Sequence, residues 1–425
     1  MNTDSAKLPP DLFRAMAYAS FSAVLLLTGY DFARVSAASL FITHYGSKNM
    51  IYAMAAAPLC IAALVYAYGR ALSALGSRRA MLGSYLVSAA VFISLYGAIK
   101  SGFTAACILL YIFAEAYIVV LVEQFWSFFN SKLTPAQART WNGPITGVAA
   151  LGPIAGDLFT KHYADRVGTE QFALLTGLIL IPAGLLFLRS FALAGEPQPP
   201  REEAGGAMGH LHLDLLGRIR TLKLVAIIIC LSQMVAVAAN LHVYDELAVT
   251  IPTLDGRTAY MAGLWFWVQL SGTAFQFGLA PLALRTLGPG PVMLAVPLLN
   301  IASAAWLILS PGLPSAAFAL ITFKVLDYSV FRAAKETFYL PLSYDARFRA
   351  KQVIDSFLNR FSKGATAGAI ALVRDAAGLA SPILLPLACL GASAVWLGAA
   401  KSLCYPGKSA QALAQQDEEQ PTPAN

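Results

Sequence analysis

Residues able to handle charge gather in one stretch, DYSVFRAAKETFYLPLSYDARFRAKQVIDSFLNRFSKG, from Asp327 to Gly364 of a chain that is 57% hydrophobic. Asp327, Arg332, Lys335 and Glu336 stand on an otherwise apolar helical run that Pro341 breaks. A short basic loop follows, and a second run carries Asp355, Arg360 and Lys363. Arg332 and Glu336 are spaced i, i+4 and can pair on one helical face. Asp327, Phe331 and Lys335 form the neighbouring stripe, with Lys324 one turn earlier. On the second run Asp355, Asn359 and Lys363 recur at i, i+4, with Arg360 beside them. A Lys, Arg or Asp at the centre of a membrane helix costs roughly 2.5–3.5 kcal/mol on insertion scales, so such side chains face protein or water and by default mark a pathway. Two readings stand side by side. Either these groups bind or gate a charged substrate, or they anchor a helix end and pair with one another structurally.

Further ionisable groups lie in apolar surroundings elsewhere. Glu115 and Glu123 stand two turns apart ahead of the aromatic block QFWSFFN, which suits interfacial packing or, alternatively, stacking on a base. Arg34 sits in the first apolar run and Lys401 at the end of the last, where it can also snorkel to the interface. The intramembrane cations (Arg34, Lys324, Arg332, Lys335, Arg360, Lys363, Lys401) slightly outnumber the acids (Asp31, Glu115, Glu123, Asp327, Glu336, Asp355). A pathway lined this way suits an anion. Arg34, Lys335, Arg360, Lys363 and Lys401 are the expected substrate contacts, with Glu115 and Glu336 beside them. Glu123, Asp327, Arg332 and Asp355 are the expected gating groups.

No enzyme chemistry is legible. G-x-x-x-x-G-K-[ST], G-x-S-x-G and H-E-x-x-H are all absent, so uphill work would draw on exchange, an ion gradient or a separate subunit. The five cysteines are scattered through or beside apolar runs without metal or redox spacing, and read as small buried hydrophobes. The histidines form no ligand cluster, and no cofactor is expected. The first apolar run follows LPPDLFR without a small-residue cleavage site, so no cleavable signal peptide is expected.

The elements that must position these groups are membrane helices. Only 12% of residues are charged, against about 25% in soluble domains. Apolar runs of membrane-spanning length recur throughout. The expected spans are 13–42, 48–69, 79–100, 103–129, 137–160, 170–192, 220–246, 258–284, 289–310, 314–340, 350–374 and 379–403, twelve in all. The formal charge of +7 is distributed rather than clustered: Lys and Arg concentrate in alternate loops, which places both termini and the central loop in the cytoplasm and leaves no nucleic-acid surface.

ALSALGSRRAML at Ala71–Leu82 aligns with ALRTLGPGPVML at Ala283–Leu294, an offset of half the chain. The same offset sets Glu123 on Lys335, which makes a salt bridge between halves a possible gate. The expectation is an all-α, major facilitator-like protein of two six-helix repeats, 1–193 and 218–404, joined by a cytoplasmic linker, 194–217, and followed by a disordered cytoplasmic tail, 405–425. GRALSALGSRR resembles that superfamily's loop between its second and third helices, without the usual acidic position.

Several blocks resemble the ATP/ADP translocases of plastids and intracellular bacteria, the nucleotide transporter family. The opening stretch is similar to its Y-S-x-F-x-x-x-K-E-x-x-Y-x-P-L, K-x-x-I-D and x-x-K-x-G pattern. Phe113–Gly156 resembles its F-x-E-x-W, FW-x-FAN and T-x-x-x-A-[KR] stretch, RTAYMAGLWFWVQLSG its region at span 8, and VWLGAAKSL its closing WLAAAKSL. By position the resemblance implies transport roles for Lys335 with Glu336, for Glu115 and for Lys401. Span 1 keeps Arg34 but has Ala37 and Ala38 where the family has Lys and Asp, and span 7 has Val243 where it has Glu. The resemblance therefore implies a divergent member, with ATP/ADP exchange or uptake as the family activity and ATP binding with it; the expected protein is a monomeric bacterial inner-membrane alternating-access transporter for a nucleotide or a related anionic metabolite. A proton-driven exporter of a secondary metabolite such as a siderophore, and a non-transporting membrane sensor, are the alternatives on the same fold.

Overall fold

The computed structural model describes residues 8–196, 219–339, 342, 354, 358–377 and 383–405. Every element among them is helical. α1 is Pro10–Tyr45; Met50–Lys100 is one continuous path broken at Gly76 into α2 (50–75) and α3 (77–100); α4 is Ala105–Lys132, α5 Pro135–Val167 and α6 Gln171–Ala194. α7 is Arg220–Thr250. α8 runs from Leu254 to Ala274, through a π-helical turn at Phe275–Leu279, into Ala280–Thr286. α9 is Pro289–Leu309, and α10 joins Leu313–Leu326 to Arg332–Tyr339 through a second π-turn at Asp327–Phe331. α11 is Asn359–Ala377 and α12 Leu384–Cys404. Asp355, Pro341, most of the expected linker and the C-terminal tail lie outside the described residues.

Among the described residues, eight helical segments are long and apolar enough to cross a membrane by length and composition, so the chain is a multi-pass membrane protein. The helices that fall short of that measure are α5, α8 and α11, which carry Asp157 and Lys161, Asp255 and Arg257, and Arg360 and Lys363 respectively.

The chain forms two compact units. One gathers α1–α6 together with Ala248–Leu270; the other holds α7 up to Leu247 and the chain from Ser271 onward. The segment spanning the end of α7 and most of α8 thus packs with the N-terminal helices. The internal repeat has a local counterpart in backbone geometry. Gly76 and Gly288, aligned in sequence, both adopt φ 78°, with ψ 167° and 170°, where a new helix begins. A side chain at either position would be strained, because this region is open chiefly to glycine.

α1 is the hub of the first unit and packs against α4, α5 and α6. Close approach depends on small residues, as is usual where lipid leaves no hydrophobic drive between helices. Thr28 Oγ1 donates to the carbonyl of Gly152 at 3.0 Å, Thr176 Oγ1 to that of Gly29 at 3.0 Å, and Ser22 Oγ to that of Ala183 at 2.7 Å. A Cβ built on Gly152 would stand 2.3 Å from the carbonyl oxygen of Val24. α5 starts with a capping box: Thr134 Oγ1 accepts from the Gln137 amide, and Gln137 Oε1 accepts from the Thr134 amide. The aromatic block of α4 is packing. Phe128 meets Phe187 and Phe191 of α6 at centroid distances of 5.4 and 4.8 Å.

The acidic position missing from the loop between α2 and α3 is filled from elsewhere in the chain. Glu196, just beyond α6, accepts from the Arg78 amide at 3.0 Å, and its carbonyl accepts from Lys132 Nζ at 3.0 Å. A carboxylate at the start of α3 also complements the helix dipole.

Replacing Gly152 with Val should lower the melting temperature of the detergent-purified protein, by an overpacking cost of about 1–3 kcal/mol. Gly143→Ala, whose added methyl meets nothing within 4 Å, should leave the melt unchanged.

Candidate functional site

Charge is concentrated in two places, one in each unit. In the first unit, Arg34 of α1 is buried between two carboxylates with no solvent exposure. Its Nη2 pairs with Asp31, one turn earlier on the same helix, and lies 3.6 Å from Oδ2 of Asp157 on α5. The guanidinium carbon stacks 3.7 Å from the ring centroid of Trp265 on α8 and 5.3 Å from that of Tyr30. Burying an ion costs several kcal/mol unless it is paired, and a desolvated cation–π contact returns about 2 kcal/mol. The site carries two carboxylates for one guanidinium, so its fixed charges do not cancel. Tyr117 of α4 presents a buried hydroxyl with no hydrogen bond among the described residues, within electrostatic range of Asp31.

The segment Ala248–Leu270, which carries Trp265, is tied to the N-terminal helices by polar contacts. Asp255 Oδ1 accepts from both the amide and the hydroxyl of Thr169 at 2.7 Å, and the Thr169 hydroxyl also donates to Thr258 Oγ1 at 2.8 Å. Arg257 donates to Thr43 Oγ1 at 3.1 Å and folds back on the carbonyls of Ile251 and Ala248. The stem of Lys161 lies along Gly263.

In the second unit, α10 carries the expected charged run. Lys324 and Lys335 are both buried, and Asp327 lies between them in sequence, within electrostatic reach of Lys324, Arg332 and Lys335. Lys324 Nζ sits 5.5 Å from the centroid of Phe323 and 5.4 Å from that of Tyr328; Lys335 Nζ lies 6.0 Å from that of Tyr339. Phe331 packs edge-on against the fully buried Trp396 of α12 at 5.1 Å. The π-turn Asp327–Phe331 inserts an i→i+5 step in the middle of this helix, and it contacts the π-turn of α8. Such turns recur at functional sites because they re-aim the side chains that follow.

The expected residues therefore fall in different settings. Lys335 is buried and Glu336 half-buried; Arg332, on the next position round, is exposed. Arg360 and Lys363 are half-buried on α11. Glu115 is half-buried on α4, whereas Glu123 is exposed. Lys401 is exposed at the end of α12, while its neighbours Trp396 and Ala400 face inward. Ala37, Ala38 and Val243, the departures from the family pattern, are fully packed. Asp157 and Trp265 also belong to the site, without any spacing in the sequence that marks them. The only signal for Asp157 was an isolated acid in the Gly-rich run GPIAGDLF, and Trp265 gave none, because its partner lies far away in the chain.

No family model matches the sequence, and no curated protein matches it. Solved structures do. A crystal structure of the nucleoside transporter NupG superposes with TM-score 0.65 at 14% identity, over 92% of this chain and 100% of that one. A point variant of the same transporter superposes with TM-score 0.67 at 14% identity, over 92% and 99%. The chain has that transporter's fold.

Asp255→Ala would leave the amide and hydroxyl of Thr169 short of an acceptor. The expected result is a loss of about 1–3 kcal/mol of stability, read as a lower melting temperature, with Asp255→Asn intermediate.

Proposed function

We propose that the chain is an alternating-access transporter that crosses the bilayer twelve times, with both termini cytoplasmic, and moves a nucleoside-like metabolite. The observation that carries this reading is the pair of buried cations on α10, Lys324 and Lys335, flanked by aromatic rings next to a π-turn. Buried ammonium groups suit a phosphate or a polarised hydroxyl, and aromatic rings suit the face of a base. The likeness to a nucleoside transporter supports the same substrate class.

Charge decides how far the nucleotide expectation extends. A nucleoside triphosphate brings three or four negative charges, and the family pattern meets them with cations on its first helix as well. Here Ala37 and Ala38 replace that pair, and Arg34 already lies against two carboxylates. A nucleoside or nucleoside monophosphate fits this balance better than ATP or ADP. Lys335 with Glu336, and Arg360 with Lys363, are the proposed substrate contacts; Glu115 and Lys401 remain secondary candidates.

The test is uptake into proteoliposomes of labelled nucleoside, nucleoside monophosphate and ATP. Nucleoside and monophosphate should accumulate and compete with one another, and ATP should compete at least tenfold more weakly. Lys335→Ala should cut monophosphate flux at least tenfold and nucleoside flux less. Unchanged flux of both in that variant would sink the assignment. A ligand-induced rise in melting temperature without flux would favour a sensor.

A further inference from the structure

We propose that Asp31 and Asp157 form a proton-binding site, with Asp157 as the carboxylate that gains and loses the proton, and that Arg34 transmits its occupancy to Trp265. The proposal rests on the transport reading only for what the proton drives. Four observations converge. Both carboxylates have no solvent exposure. They share one nitrogen, Nη2 of Arg34, so the second negative charge has no cation of its own in the cluster. Neither oxygen of Asp157 has a hydrogen bond among the described residues, which leaves an acceptor aimed into the cluster and nothing donating to it. The shared guanidinium is stacked on Trp265, in the segment Ala248–Leu270 that packs with the N-terminal helices.

The groups facing this site can be named helix by helix. α1 brings Asp31, Arg34 and Tyr30; α4 brings the Tyr117 hydroxyl, with Glu115 half-buried on the same helix; α5 brings Asp157, with Lys161 a turn further on along Gly263; α8 brings Trp265. α6 contributes Thr176, which is occupied with the carbonyl of Gly29. Its neighbouring acid, Glu170, is paired with Lys100 at the helix ends. One proton on Asp157 makes the charge of the triad sum to zero, turning carboxylate into carboxyl with no other reactant. A metal ion would have to share the same oxygens with the guanidinium already resting on them.

Occupancy has a mechanical consequence. With Asp157 protonated, that carboxylate no longer draws on Arg34, and Asp31 on its own helix and the Trp265 ring stay beside the guanidinium. With Asp157 ionised, a second carboxylate on another helix competes for the same guanidinium. Two positions of Arg34 would then set how firmly the segment carrying Trp265 is held, which is the coupling an ion-driven transporter needs: a state whose energy depends on a bound cation.

The experiment uses purified full-length protein without substrate. Infrared difference spectra between acid and neutral pH should contain the C=O stretch of a carboxyl that becomes protonated, and tryptophan emission should change with the same midpoint. Asp157→Asn should lose the carboxyl band and the emission change, with Trp265→Phe losing the emission change but keeping the band. Asp157→Glu should keep both with a displaced midpoint; an undisplaced midpoint overturns the proposal even where Asp157→Asn fails to fold. The proposal is also overturned if the band persists in a folded Asp157→Asn, or if sodium at constant pH abolishes both signals. Because neither readout needs flux, titration without nucleoside uptake removes the transport reading and keeps the site. Nucleoside uptake indifferent to a proton gradient, with no titrating carboxyl, removes the site and keeps the transport reading.

Discussion

An ion placed inside an apolar helical framework must find a counter-charge, and this requirement organises both units. Arg34 on α1 meets it with Asp31 from its own helix and Asp157 from α5, and adds the face of Trp265 from α8. Three helices are thereby fixed in register around one guanidinium. On α10 the requirement is met differently. Lys324, Asp327 and Lys335 are close in sequence, and aromatic rings take part of the load. The first arrangement is saturated with negative charge; the second has more cations than acids. The proposed preference for a substrate of low charge over a nucleoside triphosphate rests on that contrast.

Bringing charged groups together across helices demands backbones that approach closely, and small residues supply that. Gly152 and Gly156 of α5 lie directly on the backbone of α1 at Val24 and Thr28. Asp157 follows immediately, so the glycine contacts that let α5 approach α1 also deliver its carboxylate to Arg34. Packing and site are one feature here. The Thr28 hydroxyl secures the same crossing by bonding to Gly152. A larger side chain at Gly152 therefore bears on the charge cluster as well as on stability.

The two π-turns, at Phe275–Leu279 and Asp327–Phe331, give the second unit a different kind of specialisation. Each adds a residue to a helical turn and rotates everything beyond it, and the two turns contact each other. Beyond the second turn Phe331 packs on Trp396 and Lys335 is buried near Tyr339, with Asp327 still within electrostatic reach of Lys335. Arg332 and Glu336 both lie beyond the turn and keep their i, i+4 spacing.

The all-helical membrane character was legible from hydrophobic run length alone, because hydrocarbon thickness sets helix length and unpaired backbone cannot be tolerated there. The turn shared by the two aligned segments was legible too, since Gly76 and Gly288 are needed for the same positive-φ backbone wherever that turn occurs. The charged run of α10 stood out because its members are neighbours in sequence. Partnerships across the chain were not visible. Asp157 and Arg34 are joined by helix packing, Trp265 reaches Arg34 from α8, and Glu196 supplies the acid that the loop before α3 lacks. The sequence by itself determined the helices and which of them carry charge, because those follow from local composition. Only the tertiary structure decided which charges meet across helices, because that depends on distances between residues more than a hundred positions apart.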